Sequence, residues 1–326
     1  MNEIRFEEQH EAQWAALAQS VQGGKHQREA HPHAAREVPR LFRRAAAELA
    51  LARDRQYRTS LIDRLHSIVL AAHLAVHGAR ARRPWGLARD LARFLFATFP
   101  AQARRQWRFA AAAAAALFGP MLGMIAALHY HPDFVYYLVS PETLAQVQSM
   151  YDPKHGRVGM GRDAGTDALM FGFYIANNVR IDLQCLAGGI LFGLGTLAAL
   201  LGNGLFIGAI AGHLTNVGYV ETFWGFVAGH SALELMGAVL SGASGLRIGY
   251  ALVAPGRASR GAALRAAAID AAPLLYGAAL MTTCAAVIEA FWSSRTGIPF
   301  FSKVVFGLFM WAVVLGVLGF GGRRGS

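Results

Sequence analysis

From Trp107 onward the chain is a succession of apolar runs, the first long enough to cross a lipid bilayer. That pattern limits the fold more than any other feature. WRFAAAAAAALFGPMLGMIAAL, Trp107 to Leu128, covers about 30 Å at about 1.5 Å per residue, the depth of a hydrocarbon core. In that medium every backbone polar group must be paired within the segment, which makes such runs helices. The expected fold class is all-α: a polytopic α-helical membrane bundle behind an N-terminal helical cytoplasmic region. Composition agrees. The chain is 54% hydrophobic and only 16% charged, against about a quarter charged in soluble domains. The deficit falls after residue 106 or so, which divides the chain into a polar region 1–105 and a transmembrane domain 106–322.

Six spans are expected. The first is Trp107 to Leu128, kinked at Gly119-Pro120. LQCLAGGILFGLGTLAALLGNG is the second and NGLFIGAIAGHLTNVGY the third, with Asn203-Gly204 turning the chain between them. The fourth runs from about Thr222 to Val253 and is long enough to break near Gly229. The fifth covers about Ile269 to Trp292 and the sixth about Phe300 to Phe320. DALMFGFYIANNVRID is too short to span and reads as an interfacial or re-entrant helix. Residues 129–167 read as a polar periplasmic loop.

In the polar region, Phe6, Trp14, Leu17 and Val21 recur at helical spacing. GGKHQREAHPH reads as a loop, followed by two long helices that part near Tyr57 to Ser60. Near 85–105, the stripe of Leu87, Leu91, Phe94, Leu95 and Phe99 between arginines suits an amphipathic helix in the headgroup layer.

Charge sets the expected orientation. Arg104, Arg105 and Arg108 flank the first span, Arg257, Arg260 and Arg265 follow the fourth, and Arg323 and Arg324 close the chain. The positive-inside rule puts all three groups, and so both termini, in the cytoplasm. The same rule accounts for most of the net charge of +11, and with no zinc-finger spacing or RNP-like motif, nucleic acid is not expected as a partner. Cys185 and Cys284 lie in separate apolar runs and form no CxxC or disulfide framework. MNEIRFEEQHEAQW lacks the apolar core of a signal peptide.

The polar residues inside the spans are the functional candidates. An ionisable group at the centre of a span costs about 2.5–3.5 kcal/mol on insertion scales. His230 and Glu234, at i and i+4, share one helix face. Depth counting places His213, His230, Glu234 and Glu289 in the outer half, with Asn177 and Asn178 on the same side; Asn203 joins the set from the turn. These residues can form a hydrogen-bonded clasp, line a path for a proton, ion or small solute, or build a catalytic or metal site. HSALE is not HExxH, and no nucleophile elbow, P-loop or kinase set is present. No enzyme activity, cofactor or metal is therefore expected. Arg247 is placed to snorkel to the inner interface, and Arg180 and Asp182 to pair at the membrane surface. The glycine pairs and triplet Gly189/Gly193, Gly204/Gly208/Gly212 and Gly245/Gly249 are spaced four apart, as in close helix packing in lipid.

An ordered set of stretches resembles the stage II sporulation protein M family of bacterial membrane proteins: LARFLFATFPAQARR, FYIANNVRIDLQCLAGGILFGLGT, the NG of LLGNGLFIG, GHSALELMGAVLSGASGLRIGYALVAPG and AAVIEAF. They cover much of residues 87–292, with Asn177, Asn178, Asn203, Gly204, His230, Glu234, Gly245 and Glu289 at the family's characteristic positions. The resemblance implies a multipass inner-membrane protein without established enzyme activity. It also implies a scaffold or subunit of an envelope-associated complex, with a transporter or channel subunit as the alternative. The partners it implies are a peptidoglycan-active protein, a MoxR-type ATPase or an RDD-type membrane protein, alongside membrane lipid. It leaves homo-oligomerisation open.

Overall fold

The computed structural model describes residues 3–22, 32–77, 84–154, 158–159 and 165–323. They fall into two compact units, Met1–Ala88 and Arg89–Ser326, and contain helices and turns but no strand among the described residues.

The first unit holds α1 (Glu3–Gln22), α2 (Pro32–Asp54) and α3 (Thr59–His77). Phe6, Trp14 and Leu17 of α1 pack with Leu49, Leu61 and Leu65 in one core. The Trp14 indole N–H donates to Glu48 Oε2 at 2.6 Å, so the buried carboxylate enters the core with a partner. Outside, Arg58 pairs with Glu3 at 2.7 Å and Glu7 at 2.9 Å, and Arg64 pairs with Glu11. Residues 23–31 of the expected loop, and the Val21 side chain, lie outside what is described; α2 begins at Pro32, within that stretch.

The division falls at residue 88 rather than 105. α4 (Pro84–Arg93) leads through a π-helical turn (Phe94–Thr98) into α5 (Phe99–Arg105). Phe99 and Ala103 are buried with Leu240, Leu274 and Val314. Gln102 and Gln106 both donate to the Asp270 carbonyl, at 2.6 and 2.8 Å, and Arg104 donates to the Leu318 carbonyl at 2.9 Å. The segment's lower half is therefore part of the bundle. Leu87 and Leu91 of the expected stripe stay exposed.

The second unit continues with α6 (Trp107–Tyr130), a 3₁₀ turn (Pro132–Tyr137), α7 (Pro141–Tyr151) and α8 (Asp167–Ala187). A second 3₁₀ turn (Gly188–Ile190) precedes α9 (Leu194–Asn216), α10 (Val220–Ala228) and α11 (Ser231–Val253). α12 (Arg260–Ile288) runs on as a π-helical turn (Glu289–Ser293), and α13 (Phe300–Phe320) follows. Among the described residues five helices are long and apolar enough to cross a membrane: α6, α9, α11, α12 with its π turn, and α13.

The expected second and third spans are drawn differently. Asn203-Gly204 is no turn; it sits mid-way along α9, where Asn203 Nδ2 bonds the Ala199 carbonyl of its own helix at 2.8 Å. Glycine is needed there for contact: a Cβ on Gly204 or Gly208 would collide with the Leu117 or Met121 carbonyl of α6, and one on Gly212 would crowd Leu128. The turn lies earlier, at Gly188–Gly193, where Gly193 adopts φ +85° and Thr196 Oγ1 ties back to the Cys185 carbonyl at 2.7 Å. There Gly189 abuts Gly245, and Gly193 abuts Gly249, backbone to backbone.

DALMFGFYIANNVRID, expected as a short surface element, is the body of the 21-residue α8. Met170 and Tyr174 pack with Ala286 and Ala290 of the α12 segment, while Leu186, near the other end of α8, packs with Ile248, Ala251 and Ala267. α8 thus follows α12 from Met170 to Leu186, about 24 Å at 1.5 Å per residue. Its asparagines, arginine and aspartate lower its apolar content, which is why it does not read as a span.

In the stretch after α6, residues 132–137 and 141–151 are helical rather than a plain polar loop, and residues 155–157 and 160–164 lie outside what is described. Val135, Val139 and Leu144 are buried against Ala209, Leu214 and Phe223. Ser140 Oγ accepts the Thr143 N–H at 3.3 Å to start α7. Cys185 is buried and Cys284 exposed on the bundle's outer face; both are free thiols.

Candidate functional site

The expected fourth span breaks where its glycine suggests, between α10 and α11. Gly229 lies against the Trp292 ring, where a Cβ would overlap it. His230 follows at φ −106° and caps α11, its carbonyl accepting the Leu233 and Glu234 N–H groups at 3.1 Å. Irregular backbone in a membrane bundle is tolerated where protein surrounds it or a cavity opens beside it.

Two irregular segments build the site together. The π turn at Glu289–Ser293 carries Glu289 and Ser293 four residues apart, and π turns recur at functional positions. His230, only 3% exposed, has Nδ1 3.1 Å from Ser293 Oγ and Nε2 3.6 Å from Glu234 Oε2. Glu289 completes the group: one ligand atom each of His230, Glu234 and Glu289 lie within 4.8 Å of one another. Among the described residues these are the ones whose donor atoms converge closely enough to hold a metal ion. The buried Lys303 of α13 donates to the Ser293 carbonyl at 2.8 Å, and the Trp311 indole donates to Ser231 Oγ at 3.1 Å.

Beside the group lies a cavity of about 410 Å³. Its walls are mostly apolar, with Phe118, Met121, Phe206 and Phe226 among them, and His230, Glu234 and Glu289 share its lining. Tyr151 also reaches it; burial first, then the Glu289 charge, pushes its phenol above the usual range, so it stays protonated.

The other expected members lie apart from this group. His213 Nε2 meets Gln148 Nε2 of α7 at 2.7 Å. Asn177 Nδ2 donates to Asn178 Oδ1 at 3.1 Å on α8, and Asn203 bonds within α9. Asp182 does not pair with Arg180. It is 1% exposed and accepts from Thr282 Oγ1 at 3.0 Å, whereas Arg180 points out from the opposite side of the helix. Arg247 is not left to snorkel alone, since Asp270 Oδ2 lies 3.2 Å away.

Sequence reasoning passed over Ser293, Lys303 and Tyr151. Two had a signal. Ser293 follows Glu289 at i+4, and Lys303 is a lone lysine in an apolar run, which is expensive in lipid and marks a buried contact.

Two family models match the chain. The one for the stage II sporulation protein M family covers residues 87–294, well over half of it. The chain belongs to that family. The second, a domain of unknown function (DUF8413), covers residues 4–78. No curated protein and no solved structure matches. The stage II sporulation protein M match contains His230, Glu234, Glu289 and Ser293 and ends before Lys303 and α13. Membership, with five membrane-length apolar helices, makes this a multipass membrane protein.

Proposed function

We propose that this family member is a non-enzymatic subunit of a cell-envelope complex, a scaffold in the bacterial inner membrane whose helical head meets its partners in the cytoplasm. One observation carries the reading: the chain joins a membrane bundle to a separate compact unit with a core of its own and an ion-paired exterior. A unit built in that way is suited to contact other proteins.

The orientation follows if α8 is a sixth crossing. Its extent alongside α12 supports that count, and six crossings return the chain to its starting side. The arginines before α6, those at 257, 260 and 265, and those after α13 then share the cytoplasmic face. The periplasmic face carries the 3₁₀ turn and α7. On the resemblance, the partners are a MoxR-type ATPase at the head, an RDD-type protein beside the bundle or a peptidoglycan-active protein outside. Crosslinking in native membranes should return the same partner in repeated trials, and a chain lacking residues 1–88 should lose any partner held at the head. Recovery of the chain alone would refute the scaffold.

The cavity favours a second reading, a transporter or channel subunit. In that case Glu234→Gln, facing the cavity, should reduce ion flux in proteoliposomes at least tenfold, and wild type without flux for any tested ion counts against it.

A further inference from the structure

We infer that His230, Glu234 and Glu289 form a binding site for a first-row divalent cation, zinc foremost, with an open coordination position facing the cavity. The geometry of these three side chains supports such a site whichever of the two functional readings holds.

The imidazole is the starting point. Ser293 Oγ sits 3.1 Å from Nδ1. With Nδ1–H donating to that hydroxyl, Nε2 carries a lone pair aimed toward the Glu234 carboxylate. The separation there is 3.6 Å, beyond the usual hydrogen-bond range of about 2.7–3.2 Å. In that tautomer two electron-rich atoms face each other at this spacing, and a cation between them satisfies both. Zinc bonds of about 2.0–2.2 Å set at a tetrahedral angle separate two ligand atoms by about 3.3–3.6 Å. The His230–Glu234 pair already has that spacing, and Glu289 brings the third donor within 4.8 Å.

Donor chemistry narrows the ion. One imidazole nitrogen with two carboxylates suits zinc, manganese, iron or cobalt, while calcium and magnesium favour all-oxygen shells. Three protein donors leave a fourth position, as in zinc sites that keep one for water or a ligand. The site is also braced. Ser293 orients the ring from behind, as outer partners of metal-bound histidines do, and Lys303 holds the Ser293 carbonyl.

Full-length protein, purified in mild detergent with its affinity tag removed, is incubated with zinc chloride and dialysed against metal-free buffer. Elemental analysis should then find about one zinc per chain. Glu234→Gln and Glu289→Gln, which keep side-chain size, should fall to the blank, while Glu142→Gln on the exposed start of α7 should hold wild-type zinc. Cobalt loading should give the visible absorption of a tetrahedral site in wild type and none in His230→Ala. A wild-type chain that retains no zinc overturns the site by itself, whatever the variants do. Glutamine variants that elute and fold as wild type yet keep the metal overturn it as well.

Discussion

The head and the bundle differ in what joins the leucines at their centres. In the head, Phe6, Trp14, Leu17 and Leu65 are the largest fully buried side chains and the arginines face outward. The bundle also buries leucines such as Leu200, Leu240 and Leu274, but small and polar residues share its interior: Gly245, Ser241, Ser244, Thr196 and Thr282 are buried, while Phe301, Leu308 and Phe309 of α13 point out. Water drives large apolar groups together by the hydrophobic effect. Lipid tails give no such drive, so association there rests on close backbone approach and interhelical hydrogen bonds. The two units are thus held by different forces, and perturbing one should leave the other intact.

The largest effect expected is in the head. Trp14→Ala removes the biggest buried side chain and strips Glu48 of its indole donor, leaving Arg44 and His10 beside the carboxylate. A truncation of this kind costs about 3–5 kcal/mol, a large part of the stability of a small helical unit. Hydrogen exchange on the full-length protein should speed up across α1, α2 and α3 and stay unchanged in α6 to α13. Faster exchange in both would mean that the units unfold together and would break the comparison.

The reciprocal change comes next. Gly204→Leu drives a side chain into the Leu117 carbonyl, which cannot move without shifting α6. Overpacking costs about 1–3 kcal/mol, and more where backbone must yield. The yield of monodisperse protein in detergent should drop severalfold, with exchange in α1–α3 unaltered. An unchanged yield would mean that the α6–α9 contact is looser than its geometry.

The same contrast explains what the sequence disclosed. Segments α6 and α13 were legible because nearly every residue in them is apolar, so length alone marks them. The break at Gly229 was legible because a glycine interrupts a run too long for one crossing. The α8–α9 hairpin was misread because glycine has two uses. At Gly193 it permits a left-handed turn, and at Gly204 it permits contact with a carbonyl, and no local pattern separates the two. In the site, His230 and Glu234 were legible as a pair because i and i+4 share a helix face. The third member, Glu289, arrives from α12 by tertiary packing, which one-dimensional spacing does not encode. His213 sits at similar depth yet meets Gln148 instead, so depth alone does not establish contact.

The smallest effect expected is at the head's surface. Arg58 donates to Glu3 and Glu7 from an exposed position. The hydrogen bond to Glu3, then its charge, raises the guanidinium's proton affinity further above its already high value, so its charge state is constant at any working pH. What remains is screening. Exposed pairs gain little Coulomb energy in water and lose it to salt. Arg58→Ala should therefore shift the head's unfolding slightly at low ionic strength and not at all in molar salt, read by exchange in α1 and the start of α3. A large effect that persists in molar salt would show Arg58 acting through packing of its stem rather than its charge, and the head's exterior would then count as part of its core.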